Sequence, residues 1–183
     1  MLLQVLQFPD PRLREVAKPI ERSEVDDALR ELARNMAETM YDEPGIGLAA
    51  PQVGVSKRLI VMDLDWVDDD QERKPRILLN PEIVLAEGFA LSEDEGCLSV
   101  PDFKADVERS ARVVVRAHTL DWEPVEYDAL ELESYCFQHE LDHLDGKLFI
   151  DRISRLKRNL YVRQRKKQLR REQEDSGATD IVR

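Results

Sequence analysis

Residues 138–143, Gln138-His139-Glu140-Leu141-Asp142-His143, place two histidines four positions apart with a glutamate directly after the first. Residues four apart share one face of a helix, so both imidazoles could bind a single metal ion. Glu140 would then lie beside the water that the ion activates and serve as a general base, the equipment of a hydrolase. The same five-residue pattern also arises on solvated, charged helix faces. Its meaning depends on a third ligand elsewhere in the chain.

A third histidine six residues after the second, as in one class of HExxH protease, is excluded because that position is Phe149. A carboxylate further along is disfavoured because the chain turns basic at once, and Glu172 and Glu174 fall in its expected unstructured end. His118 lies in an alternating segment and reads as a surface or half-buried side chain. Cys97 remains, within Glu95-Gly96-Cys97-Leu98-Ser99. A thiolate is a strong ligand for divalent iron or zinc, and Gly96 would let the backbone pass close to a metal or substrate. Taken alone, a single cysteine reads more readily as a small buried apolar side chain. A further stretch, Gly45-Ile46-Gly47-Leu48-Ala49-Ala50-Pro51-Gln52, superficially fits the dinucleotide fingerprint. The context argues otherwise: a helical pattern precedes it, not a strand, and Pro51 interrupts any helix that would follow.

The elements around these residues follow from periodicity. Val25, Leu29, Leu32, Met36 and Met40 recur at helical spacing after a capping-box variant at Ser23-Glu24-Val25-Asp26, which predicts a helix from about Val25 to Tyr41. Short β-rich runs follow at 58–63, 77–80, 82–86, 112–118 and 125–127, with Asn80-Pro81 expected to separate two of them. Trp66 to Pro75 reads as a solvated loop. A second helix is expected from about Leu130 to Leu144, stopped by Gly146. A third begins near Ser154, with Ile153, Leu156 and Leu160 expected to dock it. The sum is an α+β fold: small antiparallel or mixed sheets around a central helix bearing the HExxH, with an N-terminal and a C-terminal helix. One domain is expected over residues 1–172, with 173–183 a disordered tail.

No apolar run approaches the roughly 20 residues of a membrane helix, the N-terminus has no basic leader, and two cysteines make no disulfide framework. A reduced, cytoplasmic setting is the expectation. The net charge of −11 is unevenly spread. Residues 154–171 hold nine Lys/Arg and no acid, leaving 18 basic against 38 acidic residues in the remaining chain.

Three stretches together resemble the peptide deformylase family: Gly45 to Gln52, Glu95 to Ser99 and His139 to His143 match its G-φ-G-φ-A-A-x-Q, E-G-C-φ-S and H-E-x-D-H motifs, in order. Phe8-Pro9-Asp10-Pro11-Arg12-Leu13 and Gly146-Lys147-Leu148-Phe149 are similar to the family as well, so the resemblance spans about residues 1 to 160. The C-terminal helix is similar to that of one bacterial class. The resemblance implies removal of the formyl group from N-formylmethionine at the start of new polypeptides. It implies a metal ion, natively Fe(II) with Zn, Ni or Co as substitutes, held by Cys97, His139 and His143. Glu140 would carry the proton, and the Gln52 side chain and Leu98 N–H would face the oxyanion, each worth about 3–4 kcal/mol if preorganised. Ile46, Gly47 and Gly96 would flank the extended peptide, and Ile46, Leu132, Tyr135 and Cys136 would form the methionine pocket. Lys104 stands where many relatives carry arginine; it keeps the charge but loses the planar fork, so weaker anchoring of the peptide backbone is expected.

The basic arm reads either as a solvated helix end or as a surface for ribosomal RNA near the tunnel exit. No DNA or membrane partner is expected. Two other classes compete with the deformylase reading: an HExxH metalloprotease and a non-catalytic ribosome-associated homologue. Phe149 and the two upstream motifs oppose the first. The second would be expected to have lost Glu140 or a ligand, and neither is missing.

Overall fold

The computed structural model describes residues 1–66 and 72–179, with side chains through 174. The first helix, α1, spans Asp27–Asp42. Its cap differs from the expected Ser23 box: Arg22–Glu24 form a 3-10 turn, and the Asp26 carboxylate accepts from Leu29 N at 2.9 Å. That bond satisfies one of the amides a helix start leaves unpaired.

Seven strands follow among the described residues: β1 (Gly47–Ala49), β2 (Leu59–Met62), β3 (Arg76–Glu87), β4 (Ala90–Cys97), β5 (Val100–Arg109), β6 (Arg112–His118) and β7 (Pro124–Leu130). Five make one antiparallel sheet in the order β1-β2-β3-β6-β7, and β4-β5 make a separate antiparallel pair. The HExxH helix, α2, is Glu131–Leu144, and α3 is Arg155–Thr179. The architecture is α+β, as expected.

The apolar run of β2 has no polar alternation because both faces are covered. Leu59 and Val61 pack with Leu29, Met36 and Met40 of α1. Ile60 and Met62 pack with Phe137, Leu141 and Leu144 of α2. Each such fully buried side chain contributes about 1.5–3 kcal/mol of transfer free energy. Helix α2 is thereby pressed against one face of the sheet, with its polar HExxH residues at the boundary with β4.

Two expectations about strands are corrected. The runs 77–80 and 82–86 form one strand, β3, which passes through Asn80-Pro81 by a register shift between Leu79 and Glu82, with Asn80 at φ +50°. A bulge is where a sheet tolerates proline, since the missing N–H has no ladder partner there. The Asn80 amide also bonds both N and O of Ile20 at 2.8 Å, tying the N-terminal segment to the sheet. Strands β4 and β5 escaped periodicity. Their segments are rich in acid, and register shifts around Glu95 break the alternation of β4.

The C-terminal helix docks differently from the expected stripe. Leu156 and Leu160 are exposed (71% and 56%), whereas Tyr161 and Arg165 are buried. Tyr161 stacks on Phe103 with centroids 4.8 Å apart, and Arg165 donates to Phe8 O at 3.1 Å and Gln7 Oε1 at 2.8 Å. An arginine was not counted as a docking residue, but its long stem and planar fork suit backbone carbonyls well. Of the segment 173–183, expected to be a disordered tail, residues through Thr179 are helical, and 180–183 lie outside the described residues. The residues from Gln168 to Glu174 are all strong helix formers. Of the expected 66–75 loop, residues 67–71 lie outside the described residues, while Trp66 is half-buried.

Gly146 ends α2 in a left-handed conformation, φ +70°, and a Cβ there would lie 2.5 Å from Arg14 O. Gly146→Ala is therefore expected to destabilise the fold by about 2 kcal/mol through backbone strain and the close approach. Thermal unfolding should show a Tm lower by about 4–8 °C; an unchanged Tm would contradict the assignment.

Candidate metal centre and active-site cleft

Helix α2 brings the two imidazoles together as its periodicity requires. His139 Nε2 and His143 Nε2 are 3.2 Å apart. Cys97 ends β4 and pairs with Val100 across a tight turn at Leu98-Ser99, and this hairpin carries its Sγ to 3.2 Å from His143 Nε2. The three ligand atoms lie within 4.8 Å of one another. Ligand bonds of about 2.0–2.3 Å at tetrahedral angles require donor separations of roughly 3.4–3.6 Å, so the set fits one metal ion.

The orientation of His139 is imposed by groups behind it. Its Nδ1 donates to Glu95 Oε1 at 2.7 Å, which turns Nε2 towards Cys97 and His143. Glu95 is held by Arg109 through Nε (3.1 Å) and Nη2 (2.5 Å). Arg109 Nη1 donates to Asp142 Oδ2 at 2.7 Å, and Arg152 closes the chain on Asp142 with two bonds of 2.5 Å. Burial works against a charged Glu95, but the His139 and Arg109 bonds prevail and hold its carboxyl down to about 2. Burial, together with the neighbouring His139, holds His143 well below the usual imidazole range, in the neutral form a metal requires.

Glu140 is 4% exposed, and its Oε2 has no hydrogen-bond partner among the described residues. Burial pushes its carboxyl up to about 7, with His139 pulling the other way. A carboxyl near neutrality can both accept and return a proton. Space for it comes from β1: a Cβ on Gly47 would lie 2.4 Å from Glu140 Oε1.

Gln52 is buried in the 3-10 turn Ala50–Val53 that follows β1. Its Oε1 accepts from Ala49 N at 2.8 Å, which turns Nε2 towards Ser99 Oγ (3.2 Å) and Cys97 Sγ (3.7 Å). A cleft of about 850 Å³ opens in front of these groups. Ile46, Gly47, Gly96, Leu98, Lys104, Leu132, Tyr135 and Cys136 all border it, with Gln52, Cys97, His139 and Glu140. His143 is buried behind it. Leu132 is on the exposed rim and Cys136 is buried beneath. The Lys104 stem lies over Gly96, whose Cβ would meet Lys104 Cγ at 3.5 Å. Ile46 O is taken by Asp63 N at 3.0 Å, so that carbonyl faces β2.

Phe149, where a third histidine would stand in the protease pattern, is buried and stacked 6.3 Å from the His139 ring. His118 stacks on Trp122 and takes no part in the cluster. Sequence reasoning gave no role to Glu95, Arg109, Asp142, Arg152 or Ser99. Glu95, Ser99 and Asp142 lie inside the motifs and could have been flagged. Arg109 and Arg152 carry no local signal.

A sulfur and two imidazoles that could hold a metal ion, beside a buried carboxyl in an open cleft, are the group set of a metal-dependent hydrolase. The polypeptide deformylase family pattern matches residues 2–159. A peptide deformylase of Alkalilimnicola ehrlichii is 52% identical over 169 residues, 92% of each chain. The crystal structure of a peptide deformylase from Legionella pneumophila is 42% identical, with TM-score 0.84, covering 94% of this chain and 98% of that one. A Met-Ala-Ser-bound class I type b peptide deformylase from Acinetobacter baumannii is 38% identical with TM-score 0.76, covering 84% of this chain and 99% of that one. The chain belongs to the polypeptide deformylase family, and its activity is metal-dependent removal of the formyl group from nascent peptides. No helix among the described residues is long and apolar enough to cross a membrane.

Proposed function

We propose that Cys97, His139 and His143 hold the single metal ion of this deformylase and that Glu140 is its proton carrier. The observation that supports this most is the convergence of three donor atoms within 4.8 Å beside a buried, unpartnered carboxyl oxygen. One thiolate with two imidazoles suits Fe(II), the ion we assign as native, and admits Zn, Ni or Co. When bound, such an ion supplies Lewis acidity toward the attacking water and the formyl oxygen.

The chain's own groups do the rest. Glu140 takes the proton of the water as it attacks the formyl carbon, then passes it to the leaving amine, and formate departs. Gln52 Nε2, held in place by the Ala49 bond to its Oε1, and the Leu98 N–H face the developing oxyanion. The peptide lies extended between the Ile46–Gly47 and Gly96 walls, as an added strand, with Lys104 near its backbone. The methionine side chain enters between Ile46, Leu132, Tyr135 and Cys136. Burial raises the Cys136 thiol well above its usual range, so that wall stays neutral. The Met-Ala-Ser complex of the Acinetobacter enzyme supports a peptide of this kind as ligand.

Formate release from formyl-Met-Ala-Ser, with the enzyme loaded anaerobically with Fe(II), tests the reading. Cleavage of an internal peptide bond without formate would favour a metalloprotease instead. Gly47→Ala is expected to push Glu140 aside and lower kcat by about 100-fold, the usual cost of a displacement near 1 Å. A variant with wild-type kcat would show that Glu140 does not need its observed position.

We further propose that α3 contacts ribosomal RNA, which sets the site of action in the cytoplasm where nascent chains emerge. Arg163, Lys166, Lys167, Arg170 and Arg171 lie along one face of it, with Glu174 at the end. Arg165 is engaged with Gln7 and Phe8, so a test should spare it. Deleting residues 167–183 should weaken co-sedimentation with ribosomes at moderate salt by about tenfold, with formate release unchanged. Equal ribosome affinity would remove the arm from the interface.

A further inference from the structure

The loop after β2 reaches back to the wall of the cleft. Trp66 Nε1 donates to Gly45 O at 3.0 Å, and Asp63 N donates to Ile46 O at 3.0 Å. Two consecutive carbonyls of the first motif are thus gripped from one segment. The grip is itself braced. Trp66 meets Tyr41 edge-on at 5.1 Å, and the Tyr41 hydroxyl donates to Asp63 Oδ2 at 2.6 Å. Asp63 also accepts from Lys74 N (2.8 Å) and Asp65 N (3.1 Å). The Arg73 guanidinium lies over the Tyr41 ring at 4.6 Å and the Trp66 ring at 5.9 Å. Gly45, Trp66, Tyr41, Asp63 and Ile46 therefore form a closed ring of contacts.

That ring holds a part of the chain with no side-chain anchor of its own at Gly45. On its other side Gly45 faces the hairpin turn: a Cβ there would meet Leu98 Cδ1 at 3.4 Å. Fixing Gly45 O sets both the peptide-binding wall at Ile46–Gly47 and the packing against Leu98.

We propose that Trp66 is a positioning residue for peptide binding, acting through the Gly45 carbonyl, with Arg73 holding the indole in place. The inference rests on the assignment of Ile46–Gly47 as a wall of the peptide site. Trp66 sits outside all three family-like motifs, in a segment whose composition reads as solvated loop. Its indole N–H is a donor only, so it has one use when half-buried, and the Gly45 carbonyl receives it.

The test is steady-state formate release from formyl-Met-Ala-Ser by the metal-loaded full chain, with calorimetric binding of Met-Ala-Ser alongside. Trp66→Phe keeps a ring against Tyr41 and removes only the N–H. It should raise KM, and the Kd for Met-Ala-Ser, by about 3–10-fold, the worth of one net hydrogen bond, while kcat stays within about twofold. Arg73→Leu should move both constants in the same direction by a smaller factor. Unchanged KM and Kd in both variants would overturn the proposal, as would a fall in kcat at constant KM. Should Trp66→Phe not fold, Arg73→Leu alone decides. Absence of formate from the wild-type enzyme would instead refute the reading of the site itself.

Discussion

Glu140→Gln is expected to lower kcat by about 10²–10⁴-fold, the range for loss of a positioned general acid-base. Glutamine matches the carboxylate in volume, so packing against Gly47 is kept. The proposed metal ligands are untouched, so metal content should equal that of the wild type. A variant that retains metal and its Tm but not turnover isolates proton transfer as the lost step. The geometry explains the size of the effect. Oε2 has no partner among the described residues, so nothing competes with the water and amine for it. Burial lifts the carboxyl to about 7, close to the pH at which it must work. Turnover within tenfold of the wild type would exclude Glu140 as the proton carrier.

The second large effect is expected at Arg109, which lies outside all three motifs in sequence but bonds two of them. Its guanidinium is wholly buried between Glu95 and Asp142. Arg109→Met would leave the Glu95 carboxylate in the interior with His139 as its remaining side-chain partner among the described residues. Breaking one side of a buried ion pair costs about 3–5 kcal/mol. For a chain of this size that is a Tm lower by roughly 6–20 °C. Metal affinity should fall as well, by about 10–100-fold, because Glu95 fixes the ring of His139. Adding Glu95→Gln to Arg109→Met should cost less than the sum of the single changes, since the stranded charge is gone. Strict additivity of the two changes, read by thermal unfolding, would mean that they are not coupled.

The His139–His143 pair was legible because it is local: a helix of 3.6 residues per turn brings positions four apart to one face whatever surrounds it. The first helix was legible for the same reason, within two residues at each end. Strands β4 and β5 were not: register shifts around Glu95 interrupt β4, and β5, although its burial alternates from Phe103 to Arg109, is rich in acid and puts an arginine at one of its inward positions. Asn80-Pro81 was misread as a break because a proline that sits in a bulge looks the same in sequence as one that ends a strand. In α3 the leucines were expected to dock, yet burial went to Tyr161 and Arg165. Which side of a helix faces the body is set by what the body offers, here Phe103 and the carbonyl of Phe8.

The chain on its own therefore determined the identities of the chemical groups: two imidazoles on one helix face, a glutamate between them, a cysteine after a glycine, and a resemblance strong enough to order them. Only the tertiary structure decided that the sulfur lies 3.2 Å from an imidazole nitrogen, that Arg109 and Glu95 stand behind His139, and that Trp66 holds Gly45. The physical reason is range. Helical spacing is a property of neighbouring residues, whereas the other contacts join segments 14 to 46 residues apart. Contacts of that kind exist only once strand pairing and core packing have closed the intervening loops.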